Sequence, residues 1–181
     1  MRFSRHHRIA LVVLASLALA ACREDQAATP PAPVAMTDEA LGHYCQMYIT
    51  DHPGPKAQIH LKGHAAPMWF SQVTDAVTYL RDPEQPDPVV AFYVSDMGKA
   101  RNWALPGQDN WTDGNSAFYV IDSRQPGGMG VPEAISFADN AAAQGFAAEN
   151  GGRVVVLADI PDAYLTPAIQ GFTDNPQGGA P

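Results

Sequence analysis

One order of elements, strand–strand–helix–strand, occurs twice in this sequence, and that repetition narrows the fold more than composition does. In the first copy "YCQMYIT" (44–50) alternates aromatic and β-branched residues as a strand. The turn "DHPGP" leads to a second strand, "AQIHLKG". In "PMWFSQVTDAVTYLRDP", Phe70, Val73, Val77 and Leu80 fall at helical spacing with Ser71 as the expected cap. "DPVVAFYVSDM" closes the unit as a buried strand. The second copy runs through "SAFYVIDS", the glycine-rich turn "RQPGGMGVP", the strand "EAISFAD", a short helix over "NAAAQGFAAENGG" ending at Gly151 in a left-handed cap, and the strand "RVVVLADI". The connector "GKARNWALPGQDNWTDG" holds two of the three tryptophans and reads as a long loop. The expected fold class is α+β: two similar ββαβ lobes of mostly antiparallel strands.

Ahead of the repeat, "MRFSRHHR" is a basic stretch and "IALVVLASLALAA" an apolar run of signal-peptide length that ends in "LAAC". A small-residue cleavage site followed directly by cysteine is a lipoprotein signal, so Cys22 is expected to carry lipid and tether the chain to a membrane surface outside the cytoplasm. Arg23 after that cysteine, where an aspartate would argue for inner-membrane retention, favours the outer membrane of a periplasmic protein. The expected partition is a signal peptide over 1–21, a lipidated terminus and linker over 22–40, lobes over 41–98 and 116–165 around a connector over 99–115, and a flexible tail over 166–181.

Charge and cysteine count then restrict the function. The chain carries a net charge of −8, and losing a leader that contains Arg2, Arg5 and Arg8 makes the remainder more acidic still. No basic stripe survives, which argues against nucleic acid as a partner. There are two cysteines. With Cys22 used for lipid, Cys45 has no intramolecular partner in an oxidising compartment, where a bare thiol is exposed to oxidation. On a strand, side chains at i and i+2 share a face, so Cys45 and Met47 are expected to project together. A thiolate with a thioether is a soft donor pair, suited to Cu(I) rather than to zinc or a hard cation. Candidates to complete such a site are Met129 in its glycine-rich turn, Met97 at the mouth of a strand, and the imidazoles of His60, His64, His43 and His52; Met68 reads as core. No hydrolase, metalloprotease, Walker, dinucleotide or CxxC signature is present, so nothing argues for an enzyme.

With these residues in view the chain resembles the NosL family, accessory lipoproteins of nitrous-oxide reductase. The stretches that carry the resemblance are "YCQMYITDHPGPKAQIHL", "WFSQVTDAVTYL", "AFYVIDS", "GGMGVPEAISF" and "GGRVVVL". The resemblance implies a periplasmic copper chaperone, not an enzyme, whose cargo is Cu(I). It would deliver copper for assembly of the copper–sulfide centre of nitrous-oxide reductase. The implied partner is a membrane maturation complex, an ABC transporter with a periplasmic β-helix protein. The family's Cys-x-Met motif falls on Cys45 and Met47, and its GGMG methionine on Met129. The alternative function is a metal-free docking lipoprotein that scaffolds the maturation complex.

Overall fold

The computed structural model describes residues 29–165; the leader with Cys22 and the tail from 166 onward lie outside the described residues. Strands β1 (Ala57–Leu61), β2 (Met68–Phe70), β3 (Val89–Ser95) and β4 (Trp111–Asp113) form one sheet in the order β2-β1-β3-β4, every pair antiparallel. Strands β5 (Phe118–Ile121), β6 (Ile135–Phe137) and β7 (Arg153–Val156) form a second antiparallel sheet in the order β6-β5-β7. Helix α1 (Val73–Arg81) lies between β2 and β3 in sequence, and helix α2 (Asn140–Asn150) between β6 and β7. Each sheet therefore carries a ββαβ unit whose first strand is interior, and β4 extends the first sheet beyond β3. A short α3 (Asp162–Leu165) follows.

Alternation of side chains explains how the lobes join. On β1 and β3, Ala57, Ile59, Leu61, Phe92 and Val94 face inward onto α1, which buries Val73, Ala76 and Val77. Tyr119 and Ile121 of β5 and Val155 of β7 enter the same apolar cluster from the second sheet. The neighbouring residue Val120 points the other way, against Ile135, Phe137 and Ala143 beneath α2. A strand covered on both faces explains the unbroken apolar run "FYVI", since each fully buried side chain contributes roughly 1.5–3 kcal/mol.

Five local expectations fail, each for a tertiary reason. "YCQMYIT" is not a strand. It is a tight turn closed by Gln46 N–H to Gly42 O (2.9 Å) and Gly42 N–H to Met47 O (2.9 Å), with Gln46 at φ 55°, followed by a 3-10 turn over Ile49–Asp51. The first two strands are instead "AQIHL" and "MWF"; Phe70 pairs with Ala57 in β2 rather than opening a helix. Ser71 does not cap α1, whose N-cap is Gln72 without a side-chain bond. The connector is not all loop, because Trp111–Asp113 pairs with Tyr93–Ser95 and Trp111 packs against Trp69 with ring centroids 5.8 Å apart and planes tilted by 40°. Gly151 leaves α2 at φ 74° and ψ −175°, a positive-φ extended conformation and not the left-handed cap.

Residues 31–40, read from their Pro/Ala content as part of a linker, lie across the outer face of the first sheet. Val34 and the Gln58 amide exchange two 2.9 Å hydrogen bonds, the Tyr93 hydroxyl donates to Pro31 O (2.7 Å), and Met36 is buried against Trp69 and Trp111. The strap supplies the apolar cover that the outward-facing aromatics of this sheet need, which composition alone does not reveal.

Candidate metal centre

Cys45 sits in the turn that replaces the expected first strand. Gly42 lies against it: a Cβ there would come within 2.5 Å of Cys45 Sγ and 2.8 Å of Ser71 Oγ, so a larger residue would have to push the thiol and hydroxyl aside. Cys45 Sγ and Ser71 Oγ are 3.2 Å apart, a hydrogen bond across 26 residues of sequence. Sγ also approaches Met47 O at 4.0 Å. The thiol is free and partly exposed, and Met47 beside it is 42% exposed. Cys45 and Met47 thus share a turn with Gln46 in the left-handed region, not one face of a strand.

The Met129 loop approaches from the second lobe. It is closed by Gly127 N–H to Val131 O (2.8 Å) and Gly130 N–H to Gly127 O (2.9 Å), with Gly130 at φ 78°. Gly128 is seated on Pro53, where a Cβ would lie 2.1 Å from the Pro53 carbonyl oxygen. The two Gly/Pro turns picked out by the repeat therefore touch, and Met129 is left 38% exposed next to that contact. Gly128→Ala is expected to displace the loop at a cost of roughly 1–3 kcal/mol, the range for overpacking, and to lower the melting temperature by several degrees. An unchanged melting curve would mean that the loop is not held on Pro53.

Most of the other candidates are engaged elsewhere; His52 differs, its Nε2 buried without a hydrogen-bond partner. Met97 is half-buried against the cluster of Val120, Ile135 and Phe137, and its N–H donates to Ser136 O (2.9 Å). His60 is buried on the outer sheet face, its Nε2 bonded to Gln58 Oε1 (2.9 Å) and its ring edge-on to Tyr93. His64 Nε2 bonds Asp87 Oδ2 (2.9 Å) at the surface. His43, adjacent to Tyr44 and packed near Phe70 and Tyr79, has its pKa lowered by burial, which favours the neutral imidazole. Met68 packs against the core as the sequence suggests. Among the described residues no three His, Cys, Asp or Glu side chains group as a metal site.

Two charged residues that motif reading passes over lie under this region. Lys56 is 1% exposed and its ammonium donates to Gly54 O (2.7 Å), Pro53 O (3.2 Å) and Ser71 O (3.3 Å). Desolvation lowers its pKa to about 8, while Glu133 and Cys45 favour its charged form. Glu133, four residues after Met129, is 2% exposed; its Oε1 accepts from Thr74 N, Thr74 Oγ1 and Ala134 N at 2.8–3.0 Å. Burial raises its pKa to about 7 against the pull of Thr74 and Lys56. The available signal was a charged residue abutting a fully buried strand in "PGPKAQIHL" and "VPEAISF".

The fold thus sets a partly exposed thiol and an exposed thioether on one turn and a second exposed thioether on a loop of the other lobe seated on Pro53, and thiols and thioethers are soft donors. The family model NosL matches residues 33–165. The chain is 51% identical over 166 residues to the copper-binding lipoprotein NosL of Achromobacter cycloclastes, covering 91% of this chain and 86% of that protein. It is 33% identical to the copper-binding lipoprotein NosL of Stutzerimonas stutzeri, covering 96% and 94%. It is also similar to the crystal structure of the copper chaperone NosL from Shewanella denitrificans, with a TM-score of 0.69, 31% identity, and coverage of 74% of this chain and 99% of that one. The chain belongs to the NosL family.

Proposed function

We propose that this chain binds one Cu(I) ion through the Cys45 thiolate and the Met47 and Met129 thioethers and hands it to a partner outside the cytoplasm. The observation that carries the reading is the partly exposed, unpaired thiol of Cys45 sharing a turn with Met47, beside the seat of the Met129 loop. Relatives named copper-binding lipoproteins and a copper chaperone support the same cargo.

The chemistry follows from the donors. On binding, the Cys45 S–H bond breaks, sulfur bonds copper and the proton leaves to solvent, so the cation and the new thiolate neutralise each other. Ser71 Oγ then donates to the thiolate and holds its direction. Two neutral thioethers complete a low-coordinate site with an open side, through which an incoming ligand enters before the old ones release. Exposure of Met47 and Met129 keeps that side accessible. In this reading lipid on Cys22 anchors the chain in the periplasm, with Arg23 favouring the outer membrane. The receiver is the ABC-transporter maturation complex with its β-helix protein, and the copper–sulfide centre of nitrous-oxide reductase is the destination. The chain acts as a carrier and not as an enzyme.

The test is a Cu(I) competition titration against a chromophoric chelator, using the full chain in detergent. One tightly held equivalent is expected; none would leave the metal-free docking reading. Met129→Leu keeps the size and removes the sulfur, and is expected to weaken binding by about tenfold, the equivalent of about 1.4 kcal/mol. Unchanged affinity in that variant would remove Met129 from the ligand set.

A further inference from the structure

We propose that Lys56 is the positioning residue of the copper site: its buried ammonium ties the Cys45 turn and the Met129 loop into one frame. The inference rests on the copper reading above. An ammonium has three donors, and here all three are directed at backbone oxygens, those of Gly54, Pro53 and Ser71. Two of those acceptors belong to the seats of the proposed ligands. Ser71 is the residue whose hydroxyl bonds Cys45 Sγ, and Pro53 is the residue on which Gly128 rests. One cation is therefore a single hydrogen bond away from the support of each ligand loop.

The fold by itself gives little reason for a lysine there. Burying an ammonium in an apolar setting is costly, and an apolar side chain of similar volume commonly serves packing as well or better. What an apolar side chain cannot do is draw the carbonyls of two separate segments, Pro53–Gly54 and Ser71, toward one atom. Carbonyl oxygens crowded together repel one another, and the ammonium removes that repulsion. Glu133 supplies the balancing charge from the end of the Met129 loop, with Oε1 fixed by Thr74 and Ala134 and Oε2 buried without a partner. Glu133 thus ties the second lobe's loop to Thr74 of the first lobe while Lys56 ties Pro53 and Gly54 to Ser71, and both methionines stay exposed. Lys56 touches no copper ligand's sulfur through a bond; it acts through Ser71 and Pro53.

The experiment compares Cu(I) affinity in the full chain for the wild type, Lys56→Met, Lys56→Arg, Met129→Leu and the double variant Lys56→Met/Met129→Leu. X-ray absorption counts the sulfur atoms bound to copper in each. Lys56→Met is expected to fold, to bind Cu(I) about tenfold or more weakly and to lose one sulfur neighbour. Lys56→Arg should recover part of the loss, and the double variant should bind no worse than Lys56→Met, because Met129 is already out of place. A folded Lys56→Met with wild-type affinity and sulfur count, or losses that simply add, would overturn the inference. Should Lys56→Met fail to fold, nitrogen NMR of the lysine side chains in the wild type decides: one equivalent of Cu(I) is expected to shift Lys56 Nζ and leave Lys62 and Lys99 in place, and an unmoved Lys56 overturns it. A wild-type chain that binds no Cu(I) would defeat the copper reading itself, which the same titration shows independently of any Lys56 variant.

Discussion

Cys45→Ser is expected to weaken Cu(I) binding by about three orders of magnitude or more, roughly 4 kcal/mol, while leaving the fold intact. The oxygen of serine is hard, and its proton does not leave at neutral pH, so the substitution removes both the soft donor and the only anionic one in the proposed set. The two thioethers that remain are neutral and cannot offset the charge of the ion. The fold should survive because Cys45 is a partly exposed turn residue whose contacts are to Ser71 Oγ and Met47 O. A serine hydroxyl fits above Gly42 with room to spare, given that the sulfur is the larger atom. Chelator competition on the two proteins, beside matched circular dichroism and melting curves, checks this. A variant that retains tight binding would show that the thiol is not a ligand and that copper is held elsewhere. A variant that loses the fold along with copper would show Cys45 to be structural.

The second large effect concerns Glu133 and stability against pH. Its carboxyl titrates at about 7 in the folded chain, raised by burial from 4.5. Between those values the folded state holds the proton more strongly than the unfolded state does, so stability falls as pH rises from about 4.5 to 7. Asp75, raised to about 6 by burial, adds a fall of the same sign over a lower window. Lys56, lowered to about 8, acts oppositely: above that pH the folded chain has given up a proton the unfolded chain keeps, and stability rises toward 10.5. The two buried groups are both charged between about 7 and 8, and there their combined contribution is least favourable.

Glu133→Gln keeps an oxygen for Thr74 and Ala134 and removes the charge. The variant is expected to lose most of the decline between pH 5 and 7 and to exceed the wild type at pH 7.5 by on the order of 2 kcal/mol. That figure is the shift at 1.36 kcal/mol per pH unit, reduced because Lys56 loses its counter-charge. A residual slope from Asp75 should persist. Urea unfolding at half-unit steps of pH measures both curves. Parallel curves for the two proteins from pH 5 to 7 would show that Glu133 is not the group responsible.

The pattern of success and failure along the chain has one physical cause. Strands β3, β5 and β7 and helix α2 were legible because their signals are local: β-branched apolar runs, and a short alanine-rich stretch closed by Gly151; Asp139, which caps α2 by accepting from Ala142 N–H, read only as the end of a strand. The candidate sulfur residues stand out too, since Cys45, Met47 and Met129 announce themselves by type whatever backbone carries them. The error over "YCQMYIT" shows the limit. Its alternation satisfies the strand rule, but no neighbouring strand offers a ladder over its length; only isolated pairings of Leu41 with Tyr48 and Gly42 with Trp69 form. With its hydrogen bonds turned inward by Gln46, the segment leaves Tyr44, Met47 and Tyr48 exposed, where a sheet strand would have buried one face.

By itself, then, the sequence determined the α+β class, the ββαβ order of the second lobe and the acidic net charge, all of which depend on residue type and spacing within a few positions. Only the tertiary structure decided that Ser71 bonds Cys45 instead of capping α1, that residues 31–40 cover a sheet, and that Thr74 and Glu133 meet across 59 residues beneath the Met129 loop. Those are contacts between distant segments, set by how two sheets share one core. A periodic pattern specifies which face of a strand is buried, but not which distant residue arrives to cover it.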